Sequence, residues 1–339
     1  MSAQLALLPT ALAQARYERL PAAQRIVSLS PAFAAADALR DPTLRCVHAL
    51  WEDPAAGSAW LHSVHLRPLG AVASGVEGQG ALSPYGYGGP LTEGEGPWDA
   101  AWSAWQGWCR SQGVLAEFCR FHPQAQGHPA FGGTVQENRA TVSIDLTLDD
   151  PEAGFNSLTR RKVARARKAG VASRWSQDPA DWARYAGFYR EAMQAIAATD
   201  FYFFPDAYFE ALRQVPGARL LVCELGGRWL SGGVYLLGPQ VMEYHLGASS
   251  AQGKKLGTAC LLQAEAATTG RAAGARDLYL GGGTDASPDN PLLFYKLGFS
   301  RRTLPFRVGE AIHDDNRYWA QAARRGHAPG HPPPRLLLD

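Results

Sequence analysis

The chain has 339 residues, of which 46% are hydrophobic and 19% are charged, with 33 basic and 31 acidic side chains. This composition excludes a disordered protein, because disorder requires low hydrophobicity and a high net charge. At about 150 residues per domain, the length predicts two domains.

The first half of the chain predicts a mixed α/β domain over residues 1–150. Apolar runs predict strands at 44–51, 60–66, 114–121 and 140–146. A glycine-rich loop over 70–96 precedes a helix in which Trp98, Trp102, Trp105 and Trp108 recur every three or four residues. That spacing is typical of one buried helix face, so we favour core packing over a platform for stacking bases.

The second half, 151–325, predicts a domain with a different order of elements. It begins with a helix over 151–169, a strand over 171–175 and a helix over 182–193. Three strands at 219–224, 229–237 and 241–246 follow, and the short glycine turns between them predict an antiparallel meander. A helix over 256–273 leads into a strand over 277–280. We expect the proline-rich tail, 326–339, to be mobile.

The cysteines and the amino terminus predict a cytoplasmic protein. The five cysteines include no Cys-x-x-Cys pair, which disfavours a structural zinc site and fits reduced thiols. No basic residue precedes Arg16, and Pro9 interrupts the first apolar run, so we predict no secretory signal. No apolar stretch approaches the roughly 20 residues of a membrane span.

One segment that could carry chemistry is the loop 83–91, Ser-Pro-Tyr-Gly-Tyr-Gly-Gly-Pro-Leu. Gly88 and Gly89 would let the backbone approach a ligand closely, and Tyr85 and Tyr87 offer apolar faces with polar tips. An ordered, turn-rich loop without a ligand explains the composition equally well.

The second segment is a basic helix. Residues 160–168 carry six positive charges and no acid, so the rest of the chain has a net charge of 2 − 6 = −4. Arg160, Arg161 and Arg165 are candidates for binding phosphate, because the guanidinium group matches phosphate oxygens. RNA and nucleotide-linked substrates both satisfy this chemistry, and a solvated surface helix is the alternative.

The third segment, 253–259, follows the last strand of the meander and opens a helix. Lys254, Lys255, Gly257, Thr258 and Ala259 form a turn that would present free backbone N–H groups and positive charge to an anion. The fourth segment is Leu-Tyr-Leu-Gly-Gly-Gly-Thr at 278–284, followed by Phe-Tyr-Lys-Leu-Gly-Phe at 294–299.

In the fourth segment, Gly281, Gly282 and Gly283 would leave a gap for the backbone of a substrate. Lys296 could stabilise negative charge on a carbonyl oxygen, and the aromatic residues around it, including Tyr295, favour a semi-buried lysine over an exposed one. The chain has 28 arginines but only five lysines, and all five lie in the last three segments. This distribution supports those segments as sites, since lysine and arginine are not interchangeable.

These segments together resemble the FemAB/FemX family of peptidyltransferases and their acetyltransferase-like relatives in the GNAT superfamily. The matching residues are Tyr-Gly-Tyr-Gly-Gly-Pro at 85–90, Ala-Arg-Lys-Ala-Gly-Val at 166–171, Phe188-Tyr189 with Tyr202-Phe203, Leu-Gly-Gly-Gly at 280–283 and Phe-Tyr-Lys-Leu-Gly-Phe at 294–299. The resemblance implies an α/β (α+β) fold of two tandem GNAT-like domains, each with a mixed, largely antiparallel sheet flanked by helices.

The resemblance also implies N-acylation of an amine, in which Fem proteins move an aminoacyl group from aminoacyl-tRNA to a cell-wall precursor. By this analogy Lys296 steadies the oxyanion, the loop 85–90 holds the precursor, and Glu93 is the nearest candidate for the proton acceptor. The 253–259 pattern approximates the pyrophosphate loop of acyl-CoA-dependent GNAT enzymes.

We therefore predict acyl-CoA or aminoacyl-tRNA as co-substrate, with no tightly bound cofactor and no metal. The expected partners are a small-molecule or nucleotide-linked peptidoglycan precursor and, on one alternative, tRNA. An acetyl-CoA-dependent acetyltransferase of a small molecule and a non-catalytic RNA-binding protein are the competing interpretations. The helical arm of some Fem proteins has no room in this chain, which puts tRNA binding by that route in doubt.

Overall fold

A computed structural model describes residues 3–69, 78–285, 287 and 289–324. Residues 70–77 of the glycine-rich loop and the tail 326–339 lie outside the described part of the chain. The strands, in chain order, are β1 (Gln4–Leu7), β2 (Arg45–Asp53), β3 (Ser58–Pro68), β4 (Gln79–Leu82), β5 (Leu91–Glu93), β6 (Val114–Phe121), β7 (Thr134–Asp145), β8 (Ala172–Ser176), β9 (Ala218–Leu225), β10 (Arg228–Leu237), β11 (Val241–Ser249), β12 (Asp277–Gly282) and β13 (Thr303–Ile312). The α-helices are α1 (Thr10–Tyr17), α2 (Pro31–Ala38), α3 (Trp98–Ser111), α4 (Ser157–Lys168), α5 (Pro179–Gln194), α6 (Asp206–Gln214), α7 (Ala251–Leu256), α8 (Thr258–Ala272), α9 (Pro291–Leu297) and α10 (Asp315–Arg324).

The chain divides into two compact units whose limits differ from those expected from the sequence. Unit 1 contains residues 1–138 and 306–339, and unit 2 contains 139–305. The segment after residue 305 returns to unit 1 because β13 pairs with β6 in antiparallel register from Arg307 opposite Phe121 to Ile312 opposite Ala116. Local patterns in the sequence give no sign of this distant pairing.

Unit 1 is built on a largely antiparallel sheet in the order β1-β2-β3-β4-β6-β13, with β5 paired to β3. The parallel pair is β4 with β6, and α3 lies between these two strands in the chain. Trp102 and Trp105 of α3 are buried in the core beside Trp60, whereas Trp98 and Trp108 are partly buried against it. The expectation that the tryptophan stripe packs into the core is therefore confirmed.

Unit 2 has a sheet in the order β7-β12-β11-β10-β9-β8, to which β7 contributes its carboxyl-terminal half. The meander β9-β10-β11 is antiparallel, as the glycine turns predicted. Alternate residues of the strands face different helices: Leu221 and Cys223 lie in the core with α4 and α8, whereas Gly232 lies against Tyr185 of α5. Both units are thus mixed α/β structures in which helices flank a largely antiparallel sheet, as expected.

The parallel pair of unit 2 separates along its length. Strands β11 and β12 are in register only from Val241 opposite Asp277 to Glu243 opposite Tyr279. Beyond Glu243, the edge of β11 that faces β12 has no strand partner among the described residues. A bulge marks the point of separation, because Val234 pairs with Leu246 but Tyr235 pairs with Tyr244, which leaves His245 as the extra residue.

The first helix of unit 2 is shorter than predicted. It was expected over 151–169 but begins at Ser157, because the side chain of Asn156 accepts a hydrogen bond from the N–H of Thr159 and caps the helix there. No helix within the described ranges is both long and apolar enough to cross a membrane.

Candidate functional site

The three glycines expected to leave a gap lie where β12 ends. Gly281 has φ +75°, a left-handed conformation that favours glycine, and it follows a bulge in the pairing of β12 with β7. At Gly283 a Cβ atom would lie 2.6 Å from Cγ of Asn290. Substitution at either position would therefore displace the end of β12 or the segment that leads into α9.

Asn290 ties this glycine turn to α9. Its Oδ1 accepts hydrogen bonds from the N–H groups of Leu292 and Leu293, at 3.0 and 3.1 Å, and so caps the helix. Its Nδ2 donates to Thr284 Oγ1 at 2.7 Å. An asparagine directly before a proline is a signal for a helix start, but the side-chain bond to Thr284 has no signal in the sequence.

Lys296 lies on α9 and is buried, with only 7% of the residue exposed. Its Nζ donates a hydrogen bond to the carbonyl oxygen of Gly282 at 2.7 Å, and no described carboxylate forms an ion pair with it. Burial lowers the pKa of Lys296 from its ordinary 10.5 to about 7. The semi-buried position expected from its neighbours holds, although Phe294 itself is exposed and only Tyr295 and Phe299 contribute to the core.

The core of unit 2 contains the phenol groups of Tyr235, Tyr244 and Tyr295. Tyr295 donates from its hydroxyl to the carbonyl oxygen of Ala259 at 3.1 Å. The rings of Tyr235 and Tyr244 lie 5.3 Å apart, and burial raises the pKa of Tyr244 to about 12. Within the described part of the chain, the buried Tyr235 hydroxyl and Gln263 Oε1 have no hydrogen-bond partner. The phenols of β10 and β11 were not singled out in the sequence.

A histidine at the β11 bulge is also hydrogen-bonded. His245 Nε2 and the hydroxyl of Tyr208 on α6 lie 2.7 Å apart. Burial lowers the pKa of His245 to about 3, which keeps the ring neutral at physiological pH. Sequence reasoning missed this pair, because neither residue stands in a recognisable motif and the bulge becomes visible only in the strand register.

The segment 253–259 is not the open turn that the sequence suggested. Residues up to Leu256 form α7, Gly257 adopts φ +79°, and α8 begins at Thr258. A Cβ at Gly257 would lie 2.8 Å from Cβ of Lys162, so the close approach of α4 explains the glycine. Thr258 is buried and Ala259 is half-buried, whereas Lys254 and Lys255 are exposed.

Two of the three lysine-bearing segments lie together. Arg165 of α4 donates to the carbonyl oxygen of Lys255 at 3.1 Å, and Lys162 lies against Gly257. Arg167 is paired with Glu152 and Glu265, at 2.7 and 3.1 Å. The remaining cations of this surface have no ion-pair partner among the described residues: Arg160, Arg161, Lys162, Lys168, Lys254 and Lys255. We call these two helices, α4 and α7, the basic surface.

The tyrosine loop belongs to unit 1 and is held by its backbone. The N–H of Tyr85 donates to Asp37 Oδ2, and that of Gly88 donates to the carbonyl oxygen of Arg120, both at 2.7 Å. Gly89 has φ +106°, and a Cβ there would lie 2.7 Å from the ring of Phe121. The edge of the Tyr87 ring packs on His122, with 4.9 Å between the centroids. The loop is ordered and its tyrosines are half-buried.

Glu93 is the last residue of β5 in unit 1, and its carboxylate is paired with the guanidinium of Arg16, which also bonds to Glu52 at 3.1 Å. The carboxylate of Glu93 is therefore engaged in an ion pair within unit 1. In the described ranges, no group of three or more His, Cys, Asp or Glu side chains is arranged to hold a metal ion.

Comparison with known proteins places this geometry in context. Residues 156–296 match the model of the acetyltransferase (GNAT) domain family. The crystal structure of FemX superposes with a TM-score of 0.68 at 14% identity and covers 95% of this chain and 100% of its own. No curated protein sequence matches the chain significantly.

Two further solved structures share the fold. One is a domain assigned as the C-terminal part of a lysylphosphatidylglycerol synthetase from Agrobacterium fabrum, with a TM-score of 0.60, 13% identity and coverage of 96% of this chain and 100% of that one. The other is L-PGS from Bacillus licheniformis, with a TM-score of 0.55, 14% identity and coverage of 79% and 86%. At these identities the likeness establishes the fold.

Proposed function

We propose that this chain, in which residues 156–296 match a GNAT acetyltransferase domain and which has the fold of FemX, transfers an acyl or aminoacyl group from an activated donor to an amine. The observation that carries the proposal is the buried Lys296, whose amine lies at the carbonyl of Gly282, where β12 has parted from β11. A buried amine with one hydrogen bond and a pKa near neutrality is typical of a functional group.

Lys296 would act on the carbonyl oxygen of the donor. When the acceptor nitrogen attacks, a C–N bond forms and the carbonyl oxygen becomes an oxyanion, which collapses as the C–S or C–O bond to the leaving group breaks. The ammonium form of Lys296 has three N–H groups. One of them donates to the carbonyl oxygen of Gly282, so two remain for the oxyanion. Because Lys296 is buried, such a hydrogen bond strengthens as the negative charge develops.

Neither Glu93 nor His245, among the described residues, is suited to remove the proton from the attacking amine. Glu93 is engaged by Arg16, and His245 has a pKa of about 3, too low for a base at neutral pH. We therefore assign Lys296 the oxyanion role and assign no residue the proton acceptor. An amine that reaches the site in its neutral form loses its proton to the leaving group or to water.

The donor is acyl-CoA or aminoacyl-tRNA, and both carry phosphates that suit the basic surface. Arg160, Arg161, Arg165, Lys254 and Lys255 would contact those phosphates, and the buried Gly257 and Thr258 would shape the backbone beneath them. The match to a GNAT domain favours acyl-CoA. The likeness to FemX leaves aminoacyl-tRNA as the alternative.

We infer that the acceptor is a precursor of the cell envelope. The resemblance to Fem peptidyltransferases supports a peptidoglycan precursor, which the Tyr85–Gly89 part of the tyrosine loop would hold. The five free cysteines support a cytoplasmic location, where nucleotide-linked precursors and both donors are made.

The donor can be identified by stabilisation and transfer measured together. Acetyl-CoA or charged tRNA is titrated while thermal unfolding is followed, because a ligand that binds only the folded chain raises its stability. The donor that raises the melting temperature is then incubated with amine acceptors, and amide formation is measured by mass spectrometry. Stabilisation by charged and uncharged tRNA alike, without transfer from any donor, would replace the proposal with a non-catalytic RNA-binding protein.

A further inference from the structure

An arginine of β7 reaches the same glycine turn as Lys296. Gly282 of β12 pairs with Thr141 of β7, so the antiparallel register brings Arg139, two residues earlier in β7, to the stretch that follows Gly282. The Nη1 of Arg139 donates a hydrogen bond to the carbonyl oxygen of Gly283 at 3.2 Å. Arg139 and Lys296 therefore donate to consecutive carbonyl oxygens of one turn.

The two cations are close enough to contact one small molecule. A chain advances by at most about 3.8 Å per residue, so side chains bonded to neighbouring carbonyls have their charged groups within roughly 10 Å of each other. The stem of Arg139 runs beside the turn, because a Cβ at Gly282 would lie 3.5 Å from its Cδ. Arg139 is half-buried, whereas Lys296 is buried. The arginine thus lies between the buried amine and the solvent-exposed part of the turn.

The guanidinium of Arg139 is suited to an anion at this turn. A guanidinium has five N–H donors in a planar fork that matches a carboxylate, and the bond to Gly283 uses one of them. The pKa of Asp285 in the same turn is lowered, chiefly by a hydrogen bond from the N–H of Ser287, and the charge of Arg139 contributes. The oxygens of Asp285 accept from that N–H at 2.8 Å and from the hydroxyl of Thr284 at 3.4 Å. The turn itself therefore holds the carboxylate of Asp285.

We propose that Arg139 binds a carboxylate of the acceptor, so that the acceptors of this chain are amines with a carboxylate near the amino group, as in amino acids and peptides. This proposal rests on the proposed transfer reaction, in which that amine attacks the carbonyl held by Lys296. The sheet order places β7 on one side of β12 and β11, which leads into α7, on the other. A donor whose phosphates contact the basic surface lies on the β11 side, so the anion at Arg139 belongs to the acceptor. The ion pair orients the amine for attack.

The test compares acceptors that differ in the carboxylate. Glycine, β-alanine and γ-aminobutyrate are each paired with their primary amides, acetyl-CoA and alanyl-tRNA serve as donors, and amide formation is measured by mass spectrometry. The ratio of kcat/KM for acid and amide is then compared between the wild-type chain and Arg139→Gln, so the different basicity of the amines cancels. For at least one pair, Arg139→Gln should lower this ratio about ten-fold by raising the KM of the acid, with the KM of the amide and of the donor unchanged. Arg139→Lys should restore part of the ratio, because it keeps the charge but not the fork.

A matched control lies at the other end of β12. Arg276 is exposed and directly precedes the strand, whereas Gly282 ends it, so Arg276→Gln should leave the ratio of acid to amide unchanged. Binding is also measured without a donor, because an acceptor that binds the folded chain raises its melting temperature. The preferred acid should stabilise the wild-type chain and Arg276→Gln but not Arg139→Gln. If Arg139→Gln is unfolded by circular dichroism, Arg139→Lys provides the comparison.

Three outcomes would overturn the proposal. The first is the same ratio of acid to amide in the wild-type chain and in Arg139→Gln, and the second is an equal loss in Arg276→Gln. The third is a raised KM for the donor with the KM of the acceptor unchanged, which would assign Arg139 to the donor's phosphates. Absence of transfer from either donor would count against the proposed function. In that case the melting temperatures decide: stabilisation by an acid that Arg139→Gln abolishes supports the carboxylate site, and no stabilisation by any acid overturns it.

Discussion

The two units bury charged groups in contrasting ways. In unit 1, Glu117 is fully buried and both of its carboxylate oxygens are occupied: His62 Nε2 lies 2.6 Å from one, and the indole N–H of Trp105 and His313 Nε2 lie 2.9 and 3.1 Å from the other. In unit 2, Lys296 is also buried, and it has one carbonyl oxygen as its partner. A buried charge held by several hydrogen bonds on both oxygens serves the fold, whereas one with most of its hydrogen-bonding capacity free is available for chemistry.

The pKa shifts of the two groups express the same contrast. Burial alone would raise the pKa of Glu117, but the attraction and hydrogen bonds of His62 and His313 lower it below its usual range. For Lys296 burial acts without a compensating charge and lowers the pKa to about 7. The network therefore favours the charged form of Glu117, and the surroundings of Lys296 disfavour its charged form.

The largest expected effect is on the stability of unit 1. Glu117→Ala leaves the indole N–H of Trp105 and two imidazoles without their shared acceptor, and should lower the free energy of unfolding by about 3–5 kcal/mol. Urea denaturation followed by tryptophan fluorescence measures the loss. Glu117→Gln is the matched control, since it keeps the shape and one acceptor oxygen and should cost less. A loss below about 1 kcal/mol for the alanine variant would mean that the network does not support the fold.

In contrast to Glu117→Ala, Lys296→Met should lower activity and not stability. The substitution removes the donor to the oxyanion and should lower kcat about 10²–10³-fold, or about 3–4 kcal/mol, with little change in KM. Because it also removes an amine whose charged form is destabilised by burial, the melting temperature should stay the same or rise. Lys296→Arg retains a charge but not the compact ammonium group, and should remain impaired. Unchanged turnover in the methionine variant would exclude Lys296 from the mechanism.

Local patterns sufficed for much of unit 2 because its signals lie close together in the chain. Glycine turns identified the meander β9-β10-β11, and the aromatic residues around Lys296 indicated its burial. The return of β13 to unit 1 was missed, because it depends on a register between strands about 190 residues apart, Arg307 opposite Phe121.

Side-chain geometry was the least predictable part of the site. The ion pair of Glu93 with Arg16 joins residues far apart in the chain and could not be inferred from the Gly-Pro pair before Glu93. The helical state of Lys254 and Lys255 was missed because Gly257 reads as a turn, whereas it accommodates the close approach of Lys162 between two helices. In both cases a tertiary contact determines what the local residues do.

The pH dependence of stability should distinguish the two buried charges. The folded pKa of Lys296, about 7, lies below the 10.5 of the unfolded chain, so unfolding takes up a proton between these values. The penalty for burying the amine is complete below pH 7 and disappears as the pH rises to 10.5. Relative to Lys296→Met, the wild-type chain should gain up to about 1.4 kcal/mol per pH unit across this window. Parallel stability curves for the two proteins would show that Lys296 titrates normally.

The smallest effect expected is at Asn290, which positions Lys296 by holding the start of α9. Asn290→Ala removes the helix cap and the bond to Thr284 and should lower the free energy of unfolding by about 1 kcal/mol. Asn290→Asp keeps the capping oxygen and should recover most of that loss. A loosened α9 would also admit water to Lys296, so in the alanine variant the pH midpoint of stability assigned to Lys296 should move above 7. A midpoint that stays near 7 would mean that the burial of Lys296 depends on the core contacts of Tyr295 and Phe299, and not on the asparagine cap.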